Sequence, residues 1–149
     1  MRMLALRRAR KPPIDSDPVG RQERCLDAAS TTVEKFAYDL GLLMAGRDPA
    51  FDQSATREMA ERVRVAVRPF LRSGDLMRPD FGGFGELRID GDLISPTSHV
   101  RAAFEFEDRS VRESSDGRLI GSMRRRIRLE MSLSLEPCRV VDCRFIPLP

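Results

Sequence analysis

The sequence predicts an α+β domain: N-terminal amphipathic helices packed on a curved antiparallel sheet of four or more strands. Three observations carry this. Apolar residues recur every three or four positions before Gly85 and every two positions after it. Asp-Gly turn signals punctuate the second half, at Asp90-Gly91 and Asp116-Gly117. Two successive hairpins there can be closed so that apolar residues meet on one face and acids meet bases on the other.

Residues 1–20 read as a disordered, basic, proline-containing arm before a single domain over 21–149. Arg2, Arg7, Arg8, Arg10 and Lys11 precede Pro12-Pro13 and Asp15-Ser16-Asp17-Pro18, and such residues resist both helix and burial. The arm is either a contact for an anionic surface or a solvated tail. From about Arg21 to Ala45 one helical stripe runs through Leu26, Ala29, Val33, Phe36, Leu40 and Leu43. A capping box at Thr31 and Glu34 allows a restart there, and Gly46 supplies the stop. A second helix is expected from about Gln53 to Arg72, capped by Asp52 or Ser54. Its stripe is Met59, Val63, Ala66, Val67, Phe70 and Leu71. Phe81-Gly82-Gly83-Phe84-Gly85 then bends the chain into the sheet.

The first strand carries Leu87 and Ile89, and Ser95-Pro96-Thr97-Ser98 breaks the pattern. The second begins near His99, with Val100, Ala102, Phe104 and Phe106 on one face and Arg101, Glu105 and Glu107 on the other. The third is Ser122–Glu136 and the fourth runs from about Arg139 to Leu148. A two-residue turn at Asp116-Gly117 sets Phe106 opposite Ile127, Phe104 opposite Leu129, Ala102 opposite Met131 and Val100 opposite Leu133. On the other face Glu107 then meets Arg126, and Glu105 meets Arg128. A three-residue loop, Glu136-Pro137-Cys138, sets Leu133 opposite Val141, Met131 opposite Cys143, Leu129 opposite Phe145 and Glu130 opposite Arg144. The run Arg124-Arg125-Arg126 with Arg128 is therefore the wet side of a central strand. Its inward row, from Ile127 to Leu135, carries the stability, at about 1.5–3 kcal/mol per fully buried side chain. The same register sets Arg124 opposite Arg109. Arg109, Arg112, Arg124 and Arg125 thus form a local basic spot, a candidate anion site.

Composition narrows the function without naming it. A chain of 149 residues suits one self-sufficient core. The formal charge of +3 lacks the surplus typical of nucleic-acid binding. Lys11 and Lys35 are the only lysines, a bias that either phosphate recognition or GC-rich coding produces. Cys25, Cys138 and Cys143 show no Cys-x-x-Cys spacing, which argues against zinc and against a disulfide framework, so no metal or cofactor is expected. His99 is the only histidine and Tyr38 the only tyrosine. No signal-peptide pattern and no long apolar run is present, so a cytoplasmic location is expected.

Two amphipathic helices followed by a long antiparallel sheet resemble the nuclear transport factor 2-like superfamily. Ala45-Gly46-Arg47-Asp48 resembles the turn that closes the first helix there. Ile89-Asp90-Gly91-Asp92 resembles the strand and turn after the helices, and Arg139-Val140-Val141-Asp142 the last strand. The Tim44-like branch and the Mce-associated proteins share this order of elements. The resemblance implies a cone closed by the helices, lined by Phe36, Leu40, Val63, Phe70, Phe104, Phe106, Leu129, Met131 and Phe145. It also implies a homodimer through the outer sheet face. Three functions follow as expectations. The first is a non-catalytic binding or assembly domain for a protein partner or an apolar ligand. The second is an enzyme of the ketosteroid isomerase or dehydratase type, with Tyr38 as the candidate donor. The third is an RNA- or ribosome-associated module. The first is preferred, because no Asp or Glu is expected on the inward face of strands two to four.

Overall fold

A computed structural model of the chain describes residues 7–8, 17–72, 76–91, 99–122 and 124–149. It is α+β, with two helices packed on antiparallel sheets. Helix α1 (Asp17–Met44) begins before Arg21 and runs unbroken through Thr31 and Glu34. Pro18 stands in its first turn, where a missing N–H costs nothing. The hydroxyls around the expected restart are otherwise engaged. Ser30 donates back to the Leu26 carbonyl at 2.9 Å, and Thr32 donates to the Cys138 carbonyl at 3.4 Å. At the far end Gly46 takes φ +86°. Its N–H bonds Leu43 O at 3.0 Å and the Arg47 N–H bonds Leu42 O at 2.9 Å, which closes the helix.

Helix α2 (Arg57–Arg72) starts later than Gln53, because the residues before it have another task. Thr56 is the cap, accepting the Met59 N–H at 3.2 Å. Ser54 is instead fully buried and donates to Asp39 at 2.8 Å. Ser54–Thr56 lies along the edge of strand β9 (Cys138–Pro147): the Val140 N–H bonds Ser54 O at 2.8 Å, and the Thr56 N–H bonds Val140 O at 3.1 Å. Arg139 Nε ties the same loop down through Asp52 O at 2.8 Å. Phe51 takes φ +60° in this loop, a strained value for a side-chain-bearing residue. Its buried ring is held between Phe36, 6.1 Å away, and the Arg64 guanidinium, 5.5 Å away.

The remaining strands are β1 (Arg7–Arg8), β2 (Leu76–Arg78), β3 (Phe81–Gly82), β4 (Glu86–Asp90), β5 (Val100–Asp108), β6 (Val111–Glu113), β7 (Leu119–Ser122) and β8 (Arg125–Leu135). The main sheet runs β1-β4-β5-β8-β9, with β3 also on β5, and the small sheet runs β2-β6-β7. Part of the expected arm therefore has regular structure: Arg7–Arg8 pairs in parallel with Glu86 and Leu87, and α1 starts at Asp17. Residues 1–6 and 9–16 lie outside the described residues, as do the turns expected at 73–75 and 95–98.

Strands β5 and β8 pair in the expected register from Val100↔Leu133 to Glu107↔Arg126. The turn beyond them is different. Ser114 and Arg118 close it, with Gly117 at φ +86°, so the loop is one residue longer than expected. A bulge then absorbs Ile120, since Arg112 pairs Gly121 while Glu113 pairs Leu119. The second hairpin errs the other way. Its turn is Glu136-Pro137, one residue shorter, and Leu133 pairs Val140 rather than Val141. Val141 is the bulge, and Met131↔Cys143, Glu130↔Arg144 and Leu129↔Phe145 then follow as expected.

Helices cover one face of the main sheet. Phe36, Leu40, Met59 and Val63 pack there with Leu87, Val100, Phe104, Phe106, Leu129, Leu133 and Val140. The inward row of β8 is the centre of this core. Leu129→Ala should lower unfolding free energy by about 2–5 kcal/mol in urea titration. Ile120→Ala, at the half-exposed bulge, should change it by less than about 0.5 kcal/mol.

Candidate functional site

The side chains expected to line a cone pack against one another instead. Phe36, Leu40, Val63, Phe104, Phe106, Leu129 and Met131 are all buried in the core. Among the described residues these side chains belong to one packed core between the helices and the sheet; Val63 also borders a surface groove, and Phe104 and Met131 border shallow depressions of the outer face. Aromatic contacts fill the sheet side, with Phe104 and Phe106 centroids 5.7 Å apart and Phe81 edge-on to Phe106 at 5.3 Å. The Phe70 side chain lies outside the described part of the structure. Phe145 is the exception, since it is half exposed at the sheet edge.

Tyr38 is half-buried on α1, with Lys35 Nζ 5.6 Å from its ring centroid. Asp39 leaves the helix about 100° further round. It is buried against Ser54, with Lys35 Nζ at 3.4 Å, so tyrosine and carboxylate do not converge on one site. Asp108 corrects a second expectation, because it continues the inward alternation of β5. It is buried and spent locally, accepting the Ser110 N–H at 2.9 Å. A sequence signal for Asp39 existed: it stands three residues after Phe36 and four before Leu43, on the apolar stripe.

Arg109 and Arg124 do come together, as the register required, but around a carboxylate of the chain itself. Glu107 accepts Arg109 Nη2 at 3.2 Å and Arg124 Nε at 3.0 Å. The hydrogen bond from Arg109, then that from Arg124, lowers the Glu107 pKa to about 2. Arg126, opposite Glu107 in the ladder, reaches Glu105 instead, at 3.5 Å. Arg125 is exposed opposite the buried Asp108, and Arg112 stands on β6 in the small sheet. Of the four arginines, Arg109 and Arg124 are therefore brought together, with Glu107 between them.

The outer face of the main sheet continues this ladder. Arg128 pairs with Glu105 at 3.3 Å and Arg144 with Glu130 at 3.3 Å. Shallow depressions of about 520 and 420 Å³ flank Ala103, bordered by Arg88, Arg101, Glu130 and Ser132.

A more apolar surface opens on the other side of the edge strand. A groove of about 820 Å³ runs between α2 and β9, lined by Val63, Val65, Ala66, Cys143 and Phe145. Arg57, Glu58, Glu61 and Arg62 form its rim, and Arg62 Nη2 holds Asp142 at 2.9 Å. Val65 is 50 % exposed and Phe145 49 %, so large apolar side chains from two elements converge there without cover. Burial, then the neighbouring Asp142, pushes the Cys143 thiol up to about 11, so it stays protonated at neutral pH. Burial likewise raises Cys138, which shares a small pocket with Cys25, Arg21 and Arg24.

No protein-family model, no curated protein and no solved structure matches the chain. Among the described residues, no helix is long and apolar enough to cross a membrane. No group of three metal-ligating side chains occurs among them either.

The Glu107 bridge has a testable sign. A carboxyl depressed in the folded state stabilises above its ordinary pKa of 4.5, and that contribution is lost as pH falls towards about 2. Carbon-detected titration should place the Glu107 midpoint near 2. Glu107→Gln should release both guanidiniums and raise affinity for inorganic phosphate severalfold by calorimetry.

Proposed function

We propose that the chain is a non-catalytic binding and assembly domain of the nuclear transport factor 2-like kind, working through protein–protein contact. The groove between α2 and β9 carries this reading, because two half-exposed large apolar residues, Val65 and Phe145, face one space from a helix and an edge strand. The closed core supports it against an enclosed apolar ligand. The separation of Tyr38 from Asp39 and Asp108 supports it against isomerase chemistry, which needs donor and base on one substrate. Two helices preceding an antiparallel sheet support the superfamily assignment.

A second reading, a homodimer through the outer sheet face, draws on the depressions beside Ala103. Opposite charges around them, Arg88 and Arg101 against Glu130 and Asp142, suit a copy of the same surface.

The apolar dye 8-anilinonaphthalene-1-sulfonate tests the groove. Dilute protein should enhance its fluorescence at neutral pH, and Val65→Glu should remove most of the enhancement while leaving the far-ultraviolet spectrum unchanged. Enhancement that survives both Val65→Glu and Phe145→Glu would show that the groove is not the binding surface.

A further inference from the structure

Resting on that reading, we propose that the occupant of the α2–β9 groove is a second copy of this chain, joined edge to edge through β9 about a two-fold axis at Arg144. The backbone is the first argument. The Leu148 N–H bonds Arg126 O at 2.9 Å, which fixes the bonded pairs of the β8–β9 ladder at Arg128/Ile146, Glu130/Arg144 and Ser132/Asp142. The residues between them, Cys143, Phe145 and Pro147, turn their backbone groups outward. Pro147 has no N–H to offer. Further back, the edge groups of Val140 are already taken by Ser54 and Thr56. The open edge is therefore Cys143 to Phe145, bounded on both sides.

Such a short edge selects its own register. A two-fold at Arg144 pairs Cys143 of each copy with Phe145 of the other, so every open N–H and C=O of those residues finds a partner. A shift one way faces Phe145 with the bulged Val141, and a shift the other way faces Cys143 with Pro147. In the favoured register both Phe145 rings turn to the groove side and cover the apolar surface that each copy leaves open. Charge does not oppose this. The rim residues Arg57, Glu58, Glu61 and Arg62 sum to zero, so a second copy of the rim brings no net repulsion. Arg144 meets its own copy on the outer face, where each guanidinium is already neutralised by Glu130 at 3.3 Å.

Light scattering and sedimentation velocity on the full chain, over micromolar to millimolar concentrations, test this. The expected result is a monomer–dimer equilibrium that Phe145→Glu and Val65→Glu each weaken at least tenfold, and that Ala103→Glu on the outer face leaves unchanged. Phe145→Cys in a Cys25→Ser, Cys138→Ser background should give a covalent dimer on mild oxidation. Peptide mapping should then join Cys143 to position 145. A dimer broken by Ala103→Glu and insensitive to Phe145→Glu would overturn the edge pairing. So would a monomer at every concentration. A monomer whose dye binding is still lost in Val65→Glu leaves the groove as a binding surface and removes only the second copy. A monomer without that dye binding removes both.

Discussion

Strand β8 cannot exchange its two faces, and the rest of the structure follows from this. Pairing on both sides fixes Ile127, Leu129, Met131 and Leu133 towards the helices and Arg126, Arg128 and Glu130 towards water. A slip of one residue against either neighbour would carry several arginines into the core and several apolar side chains out of it. The cost of burying even one unpaired guanidinium exceeds any gain a different pairing could bring. The ion pairs on the wet face are consequences of that constraint. They rearrange locally, as Arg126 does in choosing Glu105 over Glu107, without moving the strand.

The same constraint separates what was legible in the sequence from what was not. Facing pairs across the middle of both hairpins could be read because each was tested twice, once on the apolar face and once on the charged face. Turn lengths carried no such double test. Asp116-Gly117 suggests a two-residue turn, yet Ser114 and Arg118 close a longer one, and Ile120 is set aside to restore the pairing. At Glu136-Pro137 the turn is shorter and Val141 is set aside. In both hairpins the core register is dominant, and the backbone near the tip adjusts by one residue.

The buried polar pair and the surface features were less legible, for a different reason. Asp39, Ser54 and the late start of α2 depend on a contact between residues far apart in the chain, Ser54 with Val140, that no local pattern encodes. A buried carboxylate and hydroxyl can be tolerated because they satisfy each other. Their bond also holds the loop beside β9, so the helix expected from Gln53 yields to a turn closed on Phe51 O and a single bridge at Ala55. Similarly, the arginine spot was inferred from placement alone. Glu107 lies on the same face and is the nearest anion the two guanidiniums can find. The groove between α2 and β9 arises from a mismatch. Ala66 sits on the predicted apolar stripe of the helix, yet the strand beneath it ends the sheet, so the stripe outruns its support.

The paired loop and bulge at the β6–β7 tip also insulate the sheet mechanically. Because the extra residue of the turn is absorbed at Ile120, Arg112↔Gly121 and Val111↔Ser122 already keep the register of the long strands, and only the tip beyond them is offset. Peptide segments of unrelated length could be grafted between Ser114 and Arg118 without the change propagating into the interior, making this a natural insertion point.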